Sequence, residues 1–485
     1  MDYDVIIIGA GMAGLAAGIR LAMYDRRVLL LERHYAPGGL NSYYHRHGRP
    51  FDVGLHAMTN YVPRGTRRAP LTKLLRQLRI PYEAFRLCPQ IGSEIRFPGV
   101  TLRFANDFED FRQSVHETFP SQREGFDRLV ERIEEHDELS LDARPIPSRP
   151  VLEEFISDPL LIDMLYCPLM YYGSPEENEM EFGQFCIMFK SIFKEGFARP
   201  EGGVRTVIDA LLARFREEGG ELRLRSGVRR ILTRKGRAVG VELQKARGVT
   251  KLGRRRAEVL AMADEPGEVI EAPVVLSTAG YPETLALIDD RTARSEEAPP
   301  GRMSFVESIM VLDAEPRQLG IEQTIVFYND SDRFDYRRSD DDCDLRSGVI
   351  CCPNNYAHAK PLPEGLLRVT SIANYDRWAA LEKPEPYASA KRRWLERQQE
   401  KVASVLGGDF RAHVVADDVF TPTTIHHFTD RIHGAVYGSP RKVRSGRTPV
   451  AGLYVCGTDQ GFLGIVGAML SGISIANARV LMAGS

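Results

Sequence analysis

Residues 4–14 read Asp4-Val-Ile-Ile-Ile-Gly-Ala-Gly-Met-Ala-Gly14, and this stretch decides the fold. Val5 to Ile8 is an unbroken apolar run of strand length, as expected of a strand buried on both faces of a parallel sheet. It enters a glycine turn at Gly9, Gly11 and Gly14, and a helix follows through Leu15 to Leu21. The first glycine permits the tight turn, the second lets backbone N–H groups approach a pyrophosphate, and the third lets helix pack on strand. The pyrophosphate then lies at a helix N-terminus, where unpaired N–H groups and the dipole favour negative charge. Val28 to Leu31 reads as the next strand and ends in Glu32, placed so that its carboxylate accepts hydrogen bonds from adenosine ribose hydroxyls. These residues predict a Rossmann-type α/β domain that binds a dinucleotide.

Arg33 follows, then Pro37-Gly38-Gly39-Leu40-Asn41-Ser42 and Phe51-Asp52-Val53-Gly54-Leu55-His56. Here the chain resembles the flavoprotein superfamily of amine oxidases and phytoene desaturases. In that superfamily a Glu leads to a Gly-Gly-Arg-x-x-Ser/Thr element that covers the FAD pyrophosphate. Leu40 stands where arginine is usual, which removes one phosphate contact and leaves Gly38, Gly39 and Ser42 in place. The resemblance implies non-covalent FAD rather than a nicotinamide. It also implies cofactor contacts from Ala13, Arg33, Asn41, Gly54, Leu55 and His56.

Gly452-Leu-Tyr-Val-Cys-Gly-Thr-Asp459, followed by Gly461, Gly464 and Gly467 and an expected helix from Ala468 to Leu481, resembles the C-terminal flavin motif of the same superfamily. That likeness implies that Gly457 and Asp459 meet the ribityl and pyrophosphate region, and that Ile465, Val466 and Gly467 face the flavin ring. The resemblance also implies that the Gly-Gly turn in Pro200-Glu-Gly-Gly-Val204 opens a helix, here to about Phe215, and that the strand around Val228 meets the adenine through its backbone. Val274 to Gly280 resembles the strand and turn that return the chain to the cofactor, with Ala279 beside it.

At 485 residues the chain is too long for one core. The motifs assign residues 1–85, 197–290 and 440–485 to an FAD domain, and 86–196 and 291–439 to an α+β substrate domain with a mixed sheet and helices. A net charge of −2 gives no reason to expect nucleic acid as a partner. Arg254-Arg255-Arg256 is expected in a solvated loop spanning Lys251 to Glu268. Seven cysteines without framework spacing fit a reducing compartment. The acidic start at Met1-Asp2-Tyr3-Asp4 does not resemble a secretory leader, so a cytoplasmic enzyme is expected, with peripheral attachment to a membrane. No metal is expected, since the near pairs His45-x-His47 and His426-His427 lack a third ligand.

Phe182 to Phe197 places Phe182, Phe185, Cys186, Phe189, Phe193 and Phe197 on one helical face, and Pro159 to Tyr172 is a second apolar stretch. Each is either ordinary core or the lining of a tunnel or membrane-dipping surface for a long hydrocarbon. Phe51-Asp52-Val53-Gly54-Leu55-His56, Thr421-Pro422-Thr423-Thr424 and Gly434-Ala435-Val436-Tyr437-Gly438 resemble the retinol saturase and carotenoid isomerase branch. That branch implies an oxidoreductase that desaturates, saturates or isomerises C–C and C=C bonds of a long apolar polyene, isoprenoid or unsaturated acyl chain, with hydride exchanged at flavin N5 and oxygen or a quinone as electron acceptor. The alternatives are a flavin amine oxidase and a non-enzymatic prenyl-binding protein of the same fold. His56 follows the element expected beneath the flavin, so it is either a satisfied structural histidine or the acid–base residue.

Overall fold

The computed structural model describes residues 2–137, 145–245, 266–290, 298–381 and 383–482. Five parallel strands in the order Leu453–Val455, Val274–Ser277, Val5–Ile8, Val28–Leu31 and Glu221–Arg223 form the sheet around the opening motif. Strand side chains alternate between faces, and here the alternation sorts two cores. Val5 and Ile7 pack with the helices Met12–Ala22, Arg205–Glu217 and Gly464–Ile475. Ile6 and Ile8 pack on an antiparallel sheet of Val228–Arg234, Arg237–Gln244 and Pro266–Glu271. The result is the three-layer Rossmann-type arrangement. Its pieces come from widely separated parts of the chain.

Gly464–Ile475 continues in wider turns to Leu481, and these 18 residues have the length and apolar composition to cross a membrane. Ile465, Val466, Met469 and Ile473 are nevertheless buried in the same core as Met12–Ala22, so the segment serves as a core helix of this fold. The expected loop from Lys251 falls on residues 246–265, outside the described residues, and Glu268 already belongs to the strand Pro266–Glu271.

The second sheet is mixed, with seven strands in the order Val414–Phe420, Ser304–Leu312, Gly365–Ala373, Ser347–Cys351, Ile325–Asn329, Ser93–Phe97 and Val100–Phe104. Its neighbours are antiparallel except Ile325–Asn329 beside Ser93–Phe97. Helices Phe108–Thr118 and Arg123–Glu135 are broken at Pro120, where proline ends the helical spacing.

The aromatic stretch falls on one side of its two readings. Glu181 caps Phe182–Phe189 by accepting from the backbone N–H groups of Gly183 and Gln184, a wide turn covers Lys190–Lys194, and a strand begins at Ala198. Phe182, Phe185, Cys186, Phe189, Phe193 and Phe197 are all fully buried. Phe193 stacks on Phe111 with centroids 4.1 Å apart and planes 9° apart. Neighbouring rings from Phe104, Phe111 and Phe126 take up the space that a channel needs. This stretch is core, and none of its residues lines the cleft described next.

Candidate active site

One continuous cleft of about 580 Å³ runs from the edge of the parallel sheet to the face of the mixed sheet. Its cofactor end is built by the opening turn. Gly11 begins the helix Met12–Ala22 with no side-chain cap, leaving backbone donors free for an anion. A Cβ on Gly11 would meet no protein atom within 4 Å, so this glycine leaves room for something other than protein. Glu32 is held by two backbone donors, Ala10 N–H at 2.8 Å and His34 N–H at 2.7 Å, and presents the rest of its carboxylate to the cleft. Burial pushes that carboxyl up, while the backbone bonds oppose the shift.

The cleft brings together Gly9, Gly11, Ala13, Glu32, Arg33, Gly38, Gly39, Leu40, Asn41, Gly54, Leu55, His56, Val228, Ala279, Gly457 and Ile465. Five expected contacts lie outside its lining. Gly14 serves packing, since a Cβ there would stand 2.0 Å from the Gly9 carbonyl oxygen. Ser42 donates to the Pro37 carbonyl at 2.8 Å and shapes the turn. Asp459 is turned into the protein, where it accepts from the backbone N–H of Tyr281 at 2.5 Å and of Ser439 at 2.9 Å and stands 3.4 Å from Arg431. Its neighbour Thr458 faces the cleft instead. Because the last helix starts at Gly464, its period points Gly464, Ile465 and Ala468 at the cleft and turns Val466 and Gly467 away.

Sequence reasoning missed the cover of this end. Helix Pro422–Thr429 and the turn after it bring Ile425, Phe428, Thr429, Asp430, Arg431 and Ile432 to the cleft. Arg33 fastens them, donating to the His427 carbonyl at 3.0 Å and pairing with Asp430 at 2.7 Å.

The far end is set by strand register. Phe420, Glu307, Thr370 and Val349 form one cross-strand row, and all four line the cleft. Phe305, Leu55, Tyr171, Tyr172, Val436, Tyr437 and Leu463 complete an aromatic and aliphatic chamber. Tyr171 and Tyr172 come from the end of helix Pro159–Gly173, whose start is capped by Asp158 accepting from Leu160 N–H at 2.9 Å. Glu307 was legible as the lone charge in the apolar strand Ser304–Leu312. The tyrosines lay within apolar motifs and carried no separate signal.

Beneath the chamber wall lies a buried charge network. Asp52 pairs with Arg199 at 2.6 Å, and Arg199 also donates to the Leu55 carbonyl at 2.7 Å. Arg368 donates to Glu307 and to the Asp52 carbonyl, the latter at 3.0 Å. His56 sits above this network with φ 50° and its Nδ1 3.4 Å from Asp52, while Nε2 has no partner among the described residues. Burial pushes the His56 imidazole down, with Asp52 opposing and Arg368 and Arg199 reinforcing the shift. Burial raises the Asp52 carboxyl, but His56 and Arg199 outweigh it and hold that group well below the usual carboxylate range. His56 lines the cleft, and its Nε2, without a partner among the described residues, is left as a nitrogen that can accept a proton.

A dinucleotide clasp opening into an apolar chamber is the architecture of a dinucleotide-dependent oxidoreductase. The chain matches the family of flavin containing amine oxidoreductases over residues 12–479 and belongs to it. The cofactor is accordingly FAD, and the protein is a flavin-dependent oxidoreductase. It is 22% identical to prolycopene isomerase of Arabidopsis thaliana, with 98% of this chain and 82% of that one covered. It is also 22% identical to all-trans-retinol 13,14-reductase of Danio rerio, covering 98% and 85%. Among solved structures, an oxidoreductase from Methanosarcina mazei matches with a TM-score of 0.63 at 16% identity over 98% and 99% of the two chains, a likeness of fold.

Proposed function

We propose that this protein desaturates, saturates or isomerises C–C and C=C bonds of a long apolar polyene, isoprenoid or unsaturated acyl chain. The observation that carries the proposal is the chamber wall of Leu55, Phe305, Val349, Val436, Tyr437 and Leu463, contiguous with the FAD clasp. The relatives named for prolycopene and retinol support the same substrate class. Bound FAD supplies N5 as the site that takes or returns hydride. The chain's own part is to exclude water, to hold the substrate against the clasp and to exchange one proton, a role we assign to His56 Nε2. Oxygen or a quinone is the proposed electron acceptor. A substrate of this kind partitions into lipid, so peripheral contact with a membrane surface accompanies the proposal.

The test is anaerobic mixing of FAD-loaded protein with polyenes, following flavin absorbance and product mass. Flavin bleaching with loss of two hydrogens, their gain with reduced flavin, or an isomer of unchanged mass supports the proposal and identifies the direction. Peroxide release from amines, with no response to any polyene, sinks it in favour of amine oxidation.

A further inference from the structure

We propose that the substrate carries a neutral hydroxyl on its apolar chain and that Glu307, Thr370 and Tyr172 bind it. This rests on the apolar-substrate function proposed above and adds the polar group such a molecule presents. The starting observation is a set of polar atoms without partners on an otherwise apolar wall. Arg368 reaches Glu307 through two donors, Nε at 2.7 Å and Nη2, and both land on Oε1. No donor among the described residues reaches Oε2. Thr370 is paired with Glu307 in the neighbouring strand, and its Oγ1 is buried without a partner among the described residues. The Tyr172 hydroxyl is in the same condition. All three residues line the chamber.

A buried polar atom that gives up water and gains no partner is unfavourable, so native proteins seldom leave several together. A hydrocarbon filling this chamber would leave all three dry. A hydroxyl both donates and accepts, so one group can donate to Glu307 Oε2 and accept from Tyr172 or Thr370. Charge argues against an ionic ligand. Asp52 and Glu307 are offset by Arg199 and Arg368, so an ammonium group finds no net attraction, and a carboxylate would lie against Glu307. A neutral oxygen function on an apolar chain is the chemistry that fits.

The experiment measures binding to the FAD-loaded protein of four probes with one carbon skeleton: geranylgeraniol, its methyl ether, its primary amine and the parent hydrocarbon. The alcohol should bind at least about tenfold tighter than the ether and the hydrocarbon, since a site built to bond a hydroxyl rejects analogues lacking it. Thr370→Val and Tyr172→Phe remove hydroxyls that bond nothing in the folded protein, so fold and FAD content should stay unchanged. The double variant should cut the alcohol's preference over the hydrocarbon by at least about threefold, leaving the part that Glu307 supplies, while hydrocarbon binding is retained. Equal binding of alcohol and hydrocarbon, tightest binding of the amine, or a preference left unchanged by the double substitution each overturns the hydroxyl site. Equal and tight binding still leaves the apolar substrate class standing. Failure of every probe to bind, with FAD in place, overturns the substrate class itself.

Discussion

Gly11 and Gly14 lie in one turn and do different work. A side chain at Gly14 collides with the Gly9 carbonyl, whereas one at Gly11 enters open cleft. Gly11→Val should therefore fold with a melting temperature near that of the apo wild type and purify without flavin, checked by absorbance and by FAD released on heating. Full retention of FAD would remove the opening turn from the cofactor site. His56 adopts a left-handed backbone, which asparagine tolerates better than alanine does. His56→Asn should keep FAD and lose about 10²–10⁴ in turnover if the imidazole exchanges the proton. Because burial lowers its pKa below the ordinary 6.5, the proton-accepting form persists in mild acid. The kcat/KM of the wild type should then stay level as pH falls through 6.5 and drop only below it, and a drop centred above 6.5 would exclude His56 as the base. Lys442 gives a stability counterpart. It donates to the Tyr437 carbonyl at 2.7 Å, and burial pushes its ammonium down to about 8, with Asp459 opposing. The unfolded value is near 10.5, so between pH 8 and 10.5 the unfolded chain binds more protons and the penalty of burying Lys442 lessens as pH rises. In urea titrations the stability of wild type relative to Lys442→Met should rise by roughly 2–3 kcal/mol from pH 7.5 to 10.5. A flat difference would show that Lys442 titrates normally.

At the scale of elements, helical spacing identified an aromatic face at Phe182 to Phe197, and packing assigned that face to the core. Phe193 stacks on Phe111 and meets Phe104 and Phe189 edge-on at 5.2 Å. Phe193→Ala should destabilise by about 3–5 kcal/mol in denaturant titration, as large-to-small core changes do, with FAD content and polyene affinity of the folded fraction unchanged. Selective loss of polyene binding at unaltered stability would return the stretch to a channel. The opposite lesson comes from Ser304–Leu312 and Gly365–Ala373. Alternation and β-branched content mark Ser304 to Leu312 and Leu367 to Ala373 as strands from sequence, and the observed strands match the first and extend the second by two residues at its start. Their pairing places Glu307 opposite Thr370, which no local pattern states.

At the scale of the molecule, the clasp and chamber meet because the chain crosses between the two sheets repeatedly. Arg33, just beyond the end of a parallel strand, holds down a helix that follows the edge strand of the mixed sheet. Arg33→Ala should weaken FAD binding by about ten- to 150-fold, the worth of roughly 1.5–3 kcal/mol for a charged donor on a backbone carbonyl. Release of FAD on dilution, followed by flavin fluorescence, would measure it, and an unchanged affinity would show that the cover does not retain the cofactor.

What the sequence alone determined follows from local chemistry. The turn at Gly9, the close approach at Gly14, the carboxylate at Glu32 and the apolar runs on either side each depend on a few consecutive residues, so the three-layer fold and its dinucleotide were legible there. Leu40 also lines the cleft, even though it departs from the usual arginine. Tertiary structure decided which residues face inward. Asp459 and Thr458 are adjacent, yet the turn buries one and presents the other, because Asp459 is claimed by donors on Tyr281 and Ser439 far along the chain. The row Phe420, Glu307, Thr370 and Val349, and the Arg33 cover, likewise join distant segments through strand register and side-chain packing. Such pairings depend on the free energy of the whole assembled sheet, and a window of sequence holds only one side of each contact.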